Sequence, residues 1–245
     1  MKKTKFKNEY WFIVTARRNS KSIKRKNITK IHGKELIKYS YEALRKVKGV
    51  SKKIITTTDD PKIKVICKKY ESIVINREKK LSGDLINSVD VVNDALKKTY
   101  KILGYFPKAF FLIQPTSIFL KYDHIKNLLK ILKNSNYFNS AQTIIKVPHQ
   151  YHAYNQRFLI NNKTGFVFEK KRLRMHNKQR KPKFYAYGNL IACKTKHFLK
   201  NKNFFVKPSF GYQIHNIYGF DVDNYYDLKI LKKIFRKNLS YYEKN

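Results

Sequence analysis

Two groups of residues near opposite ends of the chain have types and spacing that suit one chemistry. The first is a run of cations, Arg17, Arg18, Lys21, Lys24, Arg25 and Lys26, closed by Asn27, directly after the apolar stretch "FIVTA". The second is the carboxylate pair Asp221 and Asp223 in "GFDVDNYYDL". Between them, Thr58-Asp59, Arg77 and the group Gln114, Thr116, Ser117 each follow a stretch of strand character. In an open α/β sheet, ligands bind outside the carboxyl ends of the strands, so residues that follow strands can share one rim. Cations neutralise phosphate oxygens, and hard carboxylate oxygens bind Mg²⁺ while it keeps most of its waters. Brought together, this set has the composition needed to hold a nucleoside triphosphate with Mg²⁺. Taken singly, each piece has a plainer reading: the basic run as a solvated loop, and Asp223 as the cap of the last helix.

The elements that would position these residues follow from periodicity. Buried strands are expected at 10–16, 53–58, 72–76 and 109–117, the last stopped by Pro115. Helices are expected at 34–47, 61–70 behind Asp60-Pro61, 88–103 and 124–134, with a C-terminal amphipathic helix after the Asp221–Asp223 turn. Strands alternating with helices argue for a parallel sheet covered on both faces. After about residue 147 the rhythm is lost until strand character resumes at 189–194. The intervening basic and aromatic segment reads as hairpins and loops that make a partner or subunit contact.

With 245 residues and 42% hydrophobic composition, the chain suits one α/β domain with an appendage and has material for a real core. Its 55 Lys+Arg against 16 Asp+Glu give a formal net charge of +39, which raises the question of a nucleic-acid partner. Lysines are spread along the whole chain, however, and Asn, Ile, Tyr and Phe are also heavily used, which points to composition rather than to one polyanion-binding patch. Cys67 and Cys193 lie in apolar runs and read as buried thiols of a reducing compartment. "MKKTKFK" before "YWFIVTA" imitates a leader, but the apolar part is short and "RRN" follows at once, so a first strand explains it better. No apolar run approaches the ~18 residues of a membrane span. A soluble, cytoplasmic protein is expected. His149 and His152 stand three apart without a Cys or Glu spaced to complete a metal site.

The motifs, in order, resemble the acylneuraminate cytidylyltransferase (CMP-sialic acid synthetase) family. "ARRNSKSIKRKN" and "GKEL" stand for that family's opening loop and turn, and Thr57-Thr58-Asp59 for its "STD". Arg77, Leu81, Asp84 and Ser88 keep the spacing of its "RPxxLAxDxxSS"; "FLIQPTSIFL" and "FDVDNYYDL" stand for its "LLQPTSPLR" and "DIDTxxDL". The resemblance runs from residue 10 to about 235. It implies a Rossmann-like three-layer nucleotidyltransferase of the nucleotide-diphospho-sugar transferase type, with a mixed, mainly parallel sheet. It also implies one domain over 1–245, carrying an inserted dimerisation arm at 148–187 that reaches a neighbouring subunit's sugar pocket.

Carried over residue by residue, the resemblance makes Arg17, Lys21 and Lys26 the cations on the triphosphate, and Asn27, Arg77 and Ser88 the grip on cytosine and ribose. Gln114, His152 and Lys178 fall on the sugar side; Asp221 and Asp223 would bind Mg²⁺. Arg17, Lys26 and Asp223 would be catalytic, Asp223 helping to deprotonate the sugar. The implied reaction joins CTP and an acidic nonulosonic sugar into CMP-sugar with release of pyrophosphate, in a homodimer without a membrane or nucleic-acid partner. Departures cluster on the sugar side: Ile118 and Leu120 where Pro and Arg are usual, His152 for Lys, Lys178 for Arg and Tyr187 for Asn. Ser22 for Gly and Lys24 for Pro fall in the phosphate loop. A basic nucleic-acid-binding protein, and a nucleotide-binding relative without catalysis, are the alternative readings.

Overall fold

The computed structural model describes residues 4–175 and 177–236. The first strand, β1 (Phe6–Thr15), sets the plan. Tyr10, Phe12 and Val14 point to one side of it, and Trp11 and Ile13 to the other, all at most 2% exposed. A strand buried on both faces must be central. It is: β1 pairs in parallel with β4 (Lys52–Thr58) and with β6 (Phe106–Ile113), and β4 pairs in parallel with β5 (Ile73–Asn76). Between them lie the two-residue strands β2 (Lys30–Ile31) and β3 (Lys34–Glu35), which form a small separate hairpin.

Helices α1 (Leu36–Arg45), α2 (Pro61–Lys68) and α4 (Tyr122–Asn134) cover the face of Tyr10, Phe12 and Val14. Helix α3 (Ser88–Leu103) covers the face of Trp11 and Ile13. Their ends follow from local chemistry. Asp60 caps α2 through the Lys62 amide, with Pro61 in the first turn, and Asn87 caps α3 through the Val89 amide. Gly104 closes α3 in the left-handed region at φ 75°.

Beyond β6 the sheet is mixed, as the resemblance implies, and not parallel throughout as strand–helix alternation alone suggests. Strand β7 (Ser140–Lys146) is followed by the segment that leads to β10 (Tyr185–Lys194), and β10 runs antiparallel to both β6 and β7. Helix α6 (Thr195–Asn201) then joins α3 on the second face, and β11 (Ser209–Gln213) adds in parallel to β7. The seven-stranded order is β11-β7-β10-β6-β1-β4-β5, mixed but mainly parallel. Strands β7 and β11 escape the sequence pattern because "SAQTIIK" and "SFGYQ" are short and polar-ended; they become strands by pairing with a neighbour.

Residues 148–175 and 177–184 stay outside this sheet. They form three short 3-10 turns, a hairpin of β8 (Arg157–Ile160) and β9 (Lys163–Phe166), and helix α5 (Glu169–Arg174). The final helix, α7 (Tyr225–Arg236), packs at the site end through a third apolar cluster. In it Ile23 from the loop after β1, Ile118 and Phe119 from the loop after β6, and Val222, Leu228 and Leu231 near α7 are all at most 6% exposed. This cluster carries the Asp221–Asp223 turn to the amino-terminal loop. Packing accounts for two departures: Ile118 lies in this cluster, and Leu120, 7% exposed, lies in the core under α1 and α4. Cys67 and Cys193 are free and buried, and burial pushes the Cys193 thiol up to about 12. Among the described residues no helix is long and apolar enough to cross a membrane.

Candidate active site

Chain order reverses at β1: β4 and β5 lie on one side of it and β6 on the other. Such a switch point leaves a crevice at the strands' carboxyl ends. A cleft of about 250 Å³ lies there, reached from β1 by Thr15 and Arg17 and from β6 by Gln114, Pro115 and Thr116. Arg17, Lys26, Asn27, Arg77, Ser88, Gln114, Asp221 and Asp223 all line this one cleft. Residues from the two ends of the chain therefore do converge.

Each lining side chain is held by identifiable contacts. Asn27, 8% exposed, donates through Nδ2 to the Arg17 carbonyl at 2.9 Å, which fixes the turn out of β1. The Arg17 guanidinium pairs with Asp84 at 2.7 Å and donates to the Ser82 carbonyl at 3.3 Å. Arg77, at the end of β5 and 8% exposed, donates through Nε to the Leu81 carbonyl at 2.7 Å. These two guanidiniums thus tie down the loop over 81–84. Burial lowers the Arg77 guanidinium and nearby Arg17 adds to this, while Asp59 opposes it; an arginine in such a place keeps its charge.

Lys26 Nζ donates to the Val222 carbonyl at 2.7 Å and sits 3.2 Å from Asp223 Oδ1. Burial raises the Asp221 carboxyl and the adjacent Asp223 adds to this; a Thr116 hydrogen bond, Lys26 and Ser117 oppose it. Ser117 Oγ donates to Asp221 Oδ1 at 3.3 Å. Burial is the main cause, and Lys26 is the cation paired with the acidic turn. Among the described residues no group of three or more His, Cys, Asp or Glu side chains is placed to hold a metal. Two carboxylates beside an open cleft nonetheless suit Mg²⁺, which usually takes one or two carboxylates plus water and substrate phosphates.

Two sequence candidates, Lys21 and His152, do not line this cleft. Lys21 is exposed. His152 is 5% exposed and spent on packing: Nδ1 accepts from the Tyr154 amide at 3.1 Å, and Nε2 meets the Pro182 carbonyl at 2.9 Å. Its ring also stacks on Phe184 at 4.5 Å. Lys178 lies in a short 3-10 turn, Lys178–Arg180, and its side chain falls outside the described residues. Asp84, Ser20 and Thr116 join the site without having been assigned a role. Asp84 had a signal, its spacing between Arg77 and Ser88; Ser20 had none.

Over residues 11–245 the sequence matches the cytidylyltransferase family. The chain belongs to that family. It is 28% identical over 229 residues to post-translational flagellin modification protein B of Campylobacter coli, covering 92% of this chain and 95% of that protein. It is 27% identical over 230 residues to the pseudaminic acid cytidylyltransferase of Campylobacter jejuni, covering 92% and 96%. The N-acylneuraminate cytidylyltransferase of Escherichia coli is 23% identical over 225 residues; the match covers 92% of this chain but 52% of that protein, so the chain spans about half its length. Among solved structures, a CMP:2-keto-3-deoxy-manno-octonic acid synthetase complexed with CTP superposes with TM-score 0.68 at 13% identity, over 94% of this chain and 99% of that one. That likeness is one of fold.

Proposed function

We propose that this member of the family is a CTP-dependent cytidylyltransferase that activates an acidic nonulosonic sugar. The anomeric oxygen of the sugar attacks the α-phosphorus of CTP; the new O–P bond replaces the bond to pyrophosphate, and CMP-sugar and pyrophosphate leave. The carrying observation is the convergence of Arg17, Lys26, Asn27, Arg77, Ser88, Gln114, Asp221 and Asp223 on one cleft. The pseudaminic acid and N-acylneuraminate cytidylyltransferases among its relatives suggest the sugar class.

In this reading Arg17 and Lys26 grip the triphosphate, and Asn27, Arg77 and Ser88 hold the nucleoside. Gln114 faces the sugar. Asp221 and Asp223 would hold Mg²⁺, which would supply charge neutralisation at the triphosphate. Asp223, exposed at the mouth of the cleft, takes the proton of the attacking hydroxyl. Such a reaction needs positioning and charge stabilisation more than covalent chemistry, and ion-paired side chains on strand ends provide both.

A dimer built through the arm is part of the same proposal. Leu159, Ile160 and Leu173 are each more than half exposed there, an apolar surface that a second copy of the chain would cover. The Leu159→Glu substitution should shift the chain from dimer to monomer in light scattering. The central test is purified protein with CTP, Mg²⁺ and a panel of nonulosonic acids. Pyrophosphate release with at least one acid, and none when ATP or GTP replaces CTP, is the expected outcome; silence across the panel overturns the reading.

A further inference from the structure

Residues 16–25 run from β1 to the 3-10 turn Lys26–Ile28 without regular structure. The segment carries Arg17, Arg18, Lys21, Lys24 and Arg25, whose mutual repulsion favours a splayed loop. Near its start, the Arg18 amide donates to Asp59 Oδ1 at 2.7 Å. Near its end, Ile23 is 2% exposed in the cluster with Val222, Leu228 and Leu231, and the Arg25 guanidinium lies 3.8 Å from Asp60. Between these anchors, residues 19–22 make a single hydrogen bond within the described chain: Ser22 Oγ donates to the backbone carbonyl of Asp223. The preceding carbonyl, that of Val222, is taken by Lys26 Nζ. Two consecutive carbonyls of the acidic turn are thus each held by a side chain from the basic loop.

We infer that Ser22 is a positioning residue, a latch that holds the phosphate-gripping loop on the Asp221–Asp223 turn before nucleotide arrives. It does not line the cleft itself. By fastening the Asp223 carbonyl it sets the spacing between the cations and the acidic turn, and it opposes the loop's self-repulsion. What this position supplies is a hydroxyl rather than backbone freedom, because the left-handed conformation in the loop falls on Arg25, at φ 54°, and not on Ser22. The inference rests on the assignment of this cleft to CTP and deepens it.

The test compares wild type, Ser22→Ala and Ser22→Thr in the full chain by three readouts. These are kcat and KM for CTP, the Kd of inorganic tripolyphosphate, and amide hydrogen exchange across the chain. Loss of one such hydrogen bond in Ser22→Ala should raise KM and the tripolyphosphate Kd about 3- to 10-fold, with kcat within about two-fold. Exchange should quicken over 18–25 alone, and Ser22→Thr, which keeps the hydroxyl, should restore all three. Unchanged tripolyphosphate binding and exchange in Ser22→Ala would overturn the latch. So would a Thr variant as defective as Ala, or faster exchange spread over the whole chain, which marks a general packing contact. Should wild type bind tripolyphosphate and show the local exchange effect yet turn over no sugar, the latch stands and the cytidylyltransferase reading fails.

Discussion

The strand-end cleft and the segment over 148–184 are both rich in cations, and each was expected to contribute site residues. They use those side chains differently. In the cleft, Arg17 and Lys26 are paired with carboxylates that share its lining, so the charge is arranged around an open space. In the arm, several polar groups are spent on contacts within the arm itself, while Arg157, Lys163, Lys170 and Arg174 are exposed. Lys181 Nζ donates to Asn155 Oδ1 at 2.7 Å, Arg172 donates to the same oxygen, and His152 is enclosed by Phe184 and Tyr154. Cations alone do not make a site; cations held apart by their own acids around a cavity do.

The largest expected effect breaks the cleft's chemistry while sparing its packing. Asp223 is exposed, so Asp223→Asn should leave thermal stability unchanged while pyrophosphate release from CTP falls by about 10²–10³, as for loss of one transition-state electrostatic contact. Next, Asp84→Asn leaves Arg17 without its carboxylate. KM for CTP should then rise by roughly ten-fold with kcat less affected, since an ion pair to a partly buried arginine orients it for binding. An unchanged KM would separate Asp84 from the nucleotide side.

The arm should respond in the opposite way. His152→Ala removes a buried, doubly hydrogen-bonded ring and should cost about 2–3 kcal/mol of stability, read as a lower melting temperature. Tripolyphosphate binding to the cleft should stay at the wild-type level. If His152→Ala weakened that binding as much as Asp84→Asn, the contrast between the two regions would be lost.

The last effect is confined to acid pH and concerns the brace beneath the acidic turn. His124 Nδ1 accepts from the Lys121 amide and the Asn189 side chain, and Asn189 Nδ2 also donates to the Tyr218 carbonyl, three residues before Asp221. Burial, with Lys121 adding to it, lowers the imidazole to about 4, while Asp123 and the Asn189 bond oppose this. Because the folded value lies below the unfolded one, the neutral ring stabilises the fold fully above pH ~6.5 and loses that stabilisation as pH falls toward about 4. The loss amounts to about 3 kcal/mol at most. Denaturant titrations from pH 7 to 4 should show it, and a His124→Gln variant should show a flatter profile.

Local pattern was enough for much of the frame. The continuous apolar run "YWFIVT", the Asp60-Pro61 and Asn87 caps, and the helical spacing over 88–103 each depend on near neighbours, and these elements stand where local pattern puts them. Arg17 and Arg77 reach the rim because each follows closely on a strand; Lys26, Asn27 and Ser88 reach it from further along the chain, and Lys21 does not line the cleft. What local pattern could not reach was pairing at a distance. The strands Ser140–Lys146 and Ser209–Gln213, the reversed direction of Tyr185–Lys194, and the enclosure of His152 depend on partners far away in sequence. The joining of Ser22 and Lys26 to a turn some two hundred residues away belongs with them: it is made by an apolar cluster whose members come from three segments, and no single segment carries its signature.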